Sequence, residues 1–151
     1  MPESKKIIAI TADHGGFALK GVIKPYLEGL GYQVVDLGTH SADRTDYPDY
    51  AFALVEALRA KKAEVGIAIC GTGIGMSIAL NRFADIRAAR CNDVTSAMLA
   101  RQHNDANVLC LGGRVTGNKT ALDCVDAFLI ADFEGGRHAE RNKKVSSCGT
   151  K

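Results

Sequence analysis

Residues 65–77 read VGIAICGTGIGMS, an apolar run that ends in a cysteine and is followed by glycine at three alternate positions. The run reads as a β-strand with Cys70 where the strand stops. Gly71, Gly73 and Gly75 permit a tight turn with bare backbone N–H groups. Residues 74–83 hold enough helix formers to start a helix directly after that turn. A thiol beside open amides and a helix N-terminus lies where positive potential favours thiolate. The same amides can hold a developing oxyanion or a phosphate. A base next to an anion hole is a catalytic arrangement, and the chain reads as an enzyme.

On either side of this stretch, apolar runs and amphipathic segments alternate. Strands are expected over 6–12, 32–36, 65–70, 87–91 and 107–111. Helices are expected over 17–30, 50–61, 74–83, 94–104, 119–130 and 137–145. Strands alternating with helices imply an α/β chain: a five-stranded parallel sheet with helices on both faces, a Rossmann-like three-layer α/β/α sandwich. Residues 36–49 form the longest polar loop, ending near Pro48. There is no repeat, low-complexity segment or linker, so residues 1–151 read as one domain.

With 151 residues, 46% of them apolar, the chain can bury a sizeable core. A net charge of +2 is too small to make nucleic acid the main partner. No apolar run approaches the roughly 20 residues that cross a bilayer, so no membrane partner is expected. The first ten residues, MPESKKIIAI, lack the long apolar region and cleavage site of a signal peptide. Five cysteines, at 70, 91, 110, 124 and 148, form no CxxC pair, against a disulfide frame or zinc ribbon. Cys91 and Cys110 lie in apolar runs and read as buried small hydrophobes. A reducing cytoplasm fits this pattern.

In doubly wound sheets, ligands collect at the carboxyl ends of the strands. That edge would gather Asp13 and His14 after the first strand, residues 43–49 after the second, Cys70 to Gly75 after the third, and Gly112 to Arg114 after the fifth.

Five motifs, TADHGGF (11–17), DLGTHSADRTDYPDYA (36–51), ICGTGIGMSIALNRF (69–83), RQHNDANVLCLGGRV (101–115) and FEGGRHAERN (133–142), resemble the ribose-5-phosphate isomerase B family. The resemblance runs almost end to end. It implies a metal-independent, cofactor-free aldose–ketose isomerase acting on a sugar phosphate, assembled as a homodimer or dimer of dimers. The family has two forms of the base: a cysteine before the glycine turn, or a glycine there with a glutamate inside the following turn. Here Cys70 stands at the first position and Met76 at the second, which matches the cysteine branch.

Alone, Cys70 would read as a structural thiol; the resemblance implies the base that moves a proton between C2 and C1 through a cis-enediolate. Gly71, Gly73 and Gly75 serve as turn punctuation and are implied to face the enediolate oxygens. Thr72 either caps the helix from Ile74 or binds the sugar oxygens, and both roles can coexist. The resemblance implies that His103 opens the sugar ring, a task suited to a group titrating near neutrality. It implies that Asn104 binds substrate hydroxyls and that Asp13 accepts from a ring or C3 hydroxyl, although Asp13 alone could cap the helix after Gly15. Arg137 and Arg141, spaced i, i+4, lie on one face of a short basic helix and suit a phosphate dianion; otherwise they form a solvated tail. His14 and Arg114 are further phosphate candidates. His138 would point elsewhere, His40 reads as exposed, and Thr45, Asp46 and Tyr47 match a motif without an assignable step. The short connection into the last helix makes its reach to Cys70 of the same chain doubtful, and the resemblance implies sites shared between subunits.

Two other readings share these residues. A relative could prefer allose 6-phosphate, another six-carbon sugar phosphate or a rare sugar. A nucleotide-binding module would use Gly71-x-Gly73-x-Gly75 as a dinucleotide loop, with Asp93 about 20 residues on. Met76 then occupies a place that needs glycine or alanine, and the loop follows the third strand rather than the first. A metal-dependent isomerase is disfavoured because the four histidines form no HxxH spacing.

Overall fold

The computed structural model describes residues 5–148. Strands β1 (Ile7–Ala12), β2 (Gln33–Asp36), β3 (Val65–Cys70), β4 (Ala88–Arg90) and β5 (Val108–Gly112) alternate with helices α1 (Phe17–Gly29), α2 (Tyr47–Arg59), α3 (Ile74–Leu80), α4 (Val94–Asn104), α5 (Asn118–Ile130) and α6 (Arg137–Ser147). All neighbouring strands are parallel, in the order β2-β1-β3-β5-β4. The expected Rossmann-like sheet is what the chain forms.

The strand order dictates where the helices go. Right-handed crossovers place a helix on one face when the chain moves one way across the sheet and on the other when it moves back. The steps β1 to β2 and β4 to β5 run in one direction, whereas β2 to β3 and β3 to β4 run in the other. Accordingly Leu19, Ile23 and Leu27 of α1 share a core with Ala97 and Ala100 of α4 and with Cys124, Val125 and Phe128 of α5. Leu54 and Val55 of α2 share the opposite core with Met76 and Leu80 of α3. Each fully buried Ile, Leu or Phe contributes about 1.5–3 kcal/mol. The central strand β3 is buried at every residue, because both layers cover it.

Between β1 and β3 the chain leaves in opposite directions, and a crevice must open there between α1 and α3. Register sets its floor. Ala12 pairs with Ile69 and Cys70 with Gly112, so the three strands end nearly level. The Asp13 N–H donates to the Ile69 carbonyl at 3.2 Å, and the Gly113 N–H to the Cys70 carbonyl at 2.8 Å. A Cβ on Gly113 would lie 2.4 Å from the Gly15 carbonyl oxygen, so only glycine lets these loops close together.

Two boundaries differ from expectation for identifiable reasons. Helix α2 starts at Tyr47 rather than 50, because Pro48 falls in its first turn, where a preset φ and a missing N–H cost nothing. Helix α3 stops at Leu80 rather than 83, and Asn81 turns the chain toward β4. Its Nδ2 donates to the Ala88 carbonyl at 2.9 Å and its Oδ1 accepts from the Ala88 N–H at 2.8 Å.

Candidate active site

The crevice holds a cleft of about 220 Å³ lined by Asp13, His14, Gly15, Tyr47, Cys70, Gly71, Thr72, Gly75 and Arg114. Cys70 is only 4% exposed yet lines it. Gly73 adopts a left-handed conformation, φ 78° and ψ −13°, which an L side chain resists. That twist aims its N–H at Cys70 Sγ, 3.1 Å away. The sequence reading had this amide facing substrate oxygens; here it donates to the sulfur. Thr72 Oγ1 accepts from the Ile74 N–H at 3.2 Å, while the N-cap position of α3 itself is Gly73, without a side-chain cap.

Three of the other polar groups in the cleft wall, Asp13, His14 and Arg114, are held in different ways. Asp13, 5% exposed, accepts the Gly16 N–H through Oδ1 at 3.1 Å, at the start of α1. His14 and Thr45 make a reciprocal pair: the His14 N–H donates to Thr45 Oγ1, and the Thr45 N–H donates to His14 Nδ1, both at 3.2 Å. With Nδ1 accepting, a neutral His14 carries its proton on Nε2 and presents a donor. Thr45, which the sequence left without a task, thus orients His14. Arg114 follows β5, and its N–H donates to the Gly71 carbonyl at 2.9 Å. Its side chain crosses Gly71, and its guanidinium has no ion pair among the described residues.

His103, Asn104, Arg137 and Arg141 do not line this cleft. His103 and Asn104 end α4, and Arg137 and Arg141 lie on α6, which packs on α4. Both arginines are exposed, without an ion pair among the described residues. His138, expected to point away, is buried and stacks on His103 with ring centroids 4.3 Å apart. Burial, then the His103 imidazole and the Arg137 and Arg141 guanidiniums, push His138 below the usual imidazole range, against the opposing pull of Glu134. Glu134 joins both histidines, a cluster that linear spacing of histidines could not reveal.

Burial pushes the Cys91 thiol up to about 11 and the Cys110 thiol upward as well, so both stay protonated inside the core, as the sequence suggested. His40 is exposed, as expected. No helix among the described residues is long and apolar enough to cross a membrane.

A cleft that holds a thiol with its own N–H donor and a guanidinium without an ion pair among the described residues, at the switch point of a doubly wound parallel sheet, defines a small-molecule enzyme. The family described as Ribose/Galactose Isomerase matches residues 8–145. Ribose-5-phosphate isomerase B of Escherichia coli is 49% identical over 142 residues, covering 94% of this chain and 95% of its own. A solved Clostridium thermocellum ribose-5-phosphate isomerase B superposes with a TM-score of 0.93 at 48% identity, covering 95% of this chain and 97% of that one. The Mycoplasma genitalium enzyme, solved with bound ribulose-5-phosphate, gives 0.89 at 40% identity, with 95% and 96% covered. The chain belongs to the ribose/galactose isomerase family and is an aldose–ketose isomerase. The dinucleotide reading is not favoured by any of these likenesses.

Proposed function

We propose that this isomerase interconverts D-ribose 5-phosphate and D-ribulose 5-phosphate, with Cys70 as the proton-transferring base. The observation that carries the reading is the Gly73 N–H directed at Cys70 Sγ in a cleft that also holds Asp13, His14 and Arg114. An N–H aimed at sulfur is a hydrogen-bond donor from which a proton-accepting sulfur can draw.

His103 protonates the ring oxygen as the anomeric hydroxyl gives its proton to a solvent water, and the aldehyde opens. The Cys70 thiolate takes the C2 proton; the C–H electrons form the C1–C2 double bond, and the carbonyl oxygen becomes an enediolate oxygen. The Gly71 and Gly75 amides hold that charge, where one donor is worth about 3 kcal/mol. The thiol returns its proton to C1, the O2 proton passes to O1 with help from Thr72, and the ketone forms at C2. Asp13 and Asn104 bind hydroxyls. His14, Arg114, Arg137 and Arg141 hold the phosphate by charge-assisted bonds of about 1.5–3 kcal/mol each. No cofactor or metal enters these steps.

His103, Asn104, Arg137 and Arg141 complete the cleft of a second copy, a reading supported by their lying outside the cleft of their own chain. The chain works as one domain, in a cytoplasmic homodimer or dimer of dimers, with α6 reaching across the interface. Two experiments test this. Against a panel of five- and six-carbon sugar phosphates, ribose 5-phosphate should give the highest kcat/KM; a preference for allose 6-phosphate would overturn the substrate. Co-expressed Cys70→Ala and Arg137→Ala chains should regain activity through one intact mixed site, and no regain would count against sharing.

A further inference from the structure

Away from the cleft, three lone-pair donors converge from three segments. His103 lies in the last turn of α4, Glu134 in the connection after α5, and His138 in the first turn of α6. The Glu134 N–H donates to the Gln102 carbonyl at 2.9 Å, and Asn142 Nδ2 donates to the His103 carbonyl at 3.3 Å. These bonds tie the segments to one another and fix the cluster's frame. Glu134 Oε1 stands 3.7 Å from His103 Nε2 and 3.6 Å from His138 Nε2. One ligating atom from each residue lies within 4.8 Å of the other two.

Two further features single this cluster out. His138, 8% exposed, has its Nε2 buried with no hydrogen-bond partner, and an orphaned buried polar atom costs about 1–3 kcal/mol. The His103 and His138 rings also stack, only 8° from parallel with centroids 4.3 Å apart, which holds the two imidazoles side by side.

We propose that His103, Glu134 and His138 form a site for a borderline divalent transition cation such as Zn2+, and that its occupation withdraws His103 from catalysis. The second half rests on the ring-opening role given to His103 above; the first half does not.

The donor set suits the ion. Zinc binds imidazole nitrogen and carboxylate oxygen at about 2.0–2.2 Å, which sets tetrahedral ligands about 3.3 Å apart. The two Glu134 contacts, at 3.6 and 3.7 Å, need a few tenths of an ångström of closure, and the pair of imidazole nitrogens, within 4.8 Å, needs up to about 1.5 Å. The parallel rings must also swing apart so that their lone pairs converge. The His103 side chain, 40% exposed, has room to turn, while buried His138 serves as the anchor. Three ligands leave the fourth position to water. Two nitrogens and one oxygen select against Mg2+ and Ca2+, which need oxygen shells. The guanidiniums of Arg137 and Arg141 oppose a cation nearby, so the ion exchanges readily rather than holding the fold together.

The test is a zinc titration against a chromophoric chelator, with turnover of ribose 5-phosphate measured at each zinc concentration. The protein carries Cys148→Ser, which removes the exposed thiol. One zinc per chain should bind in the micromolar range, without competition from millimolar Mg2+. Glu134→Gln and His138→Gln should each weaken binding about tenfold or more. Glu134 is half exposed, so Glu134→Gln reports even if His138→Gln does not fold. Equal zinc affinity in the parent and Glu134→Gln would overturn the site. Turnover should fall with zinc occupancy and return with EDTA; full occupancy with undiminished turnover would overturn the inhibitory half. His103→Asn assayed alongside separates the two readings: an undiminished rate there sinks the ring-opening role and leaves the zinc site to the binding data.

Discussion

Replacing Gly73 with alanine tests how the turn serves the sulfur. Its φ of 78° costs an L residue about 1–2 kcal/mol. The added Cβ would also stand 3.0 Å from the Leu111 carbonyl carbon and 3.1 Å from its oxygen. Those are backbone atoms of the buried strand β5, which cannot turn aside as a flexible side chain would. The turn itself must therefore move, and the Gly73 N–H leaves its 3.1 Å contact with Cys70 Sγ. Losing a hydrogen bond to a charged acceptor costs about 1.5–3 kcal/mol, which is about a tenfold to hundredfold loss in rate. Urea denaturation should show a stability loss of about 1–3 kcal/mol, and exchange of the substrate C2 proton into D2O should slow by the factor just given. Gly71→Ala is the contrast. There the nearest neighbours of the Cβ belong to the Arg114 side chain, 3.3 Å from Cδ, so KM should rise while C2 exchange persists. A folded Gly73→Ala protein exchanging at the wild-type rate would refute the amide-to-sulfur argument.

Gly75→Ala would put a Cβ 2.6 Å from the Tyr47 ring in the cleft wall, so the ring must shift and KM for the sugar phosphate should rise more than kcat falls. Lys20, with a side chain only 5% exposed, binds Asp36 Oδ1 at 2.7 Å, and Lys20→Met should cost about 3 kcal/mol in a urea melt. Burial alone would raise the Asp36 carboxyl, but the Lys20 bond, the Gly38 N–H and the Lys24 charge hold it below the usual range. Because the folded value is depressed, this stability is present above about pH 4 and lost as pH falls through the folded value; Lys20→Met should flatten that acid slope. Turnover should be unchanged after exhaustive EDTA treatment, and strong inhibition would overturn the metal-free chemistry.

The sheet was legible because a parallel strand covered on both faces leaves an uninterrupted apolar run, as in residues 65–70. Strand order was not, since nothing local says that β5 inserts between β3 and β4. The glycine turn and Cys70 were readable because the geometry is made by adjacent residues. Thr45 was not, because its work is a contact with His14, 31 residues away. Nor was the stacking of His138 on His103, which depends on α6 packing against α4. Pro48 misled as a loop end because the same fixed φ suits both a turn and a first helical turn.

The most direct measurement is C2-proton exchange in D2O by Cys70→Ala with ribose 5-phosphate bound. The thiolate account predicts that exchange is lost by about a hundredfold or more, with substrate still retained by the protein. Exchange near the wild-type rate would mean that another group carries the proton, and the assignment of Cys70 would be wrong.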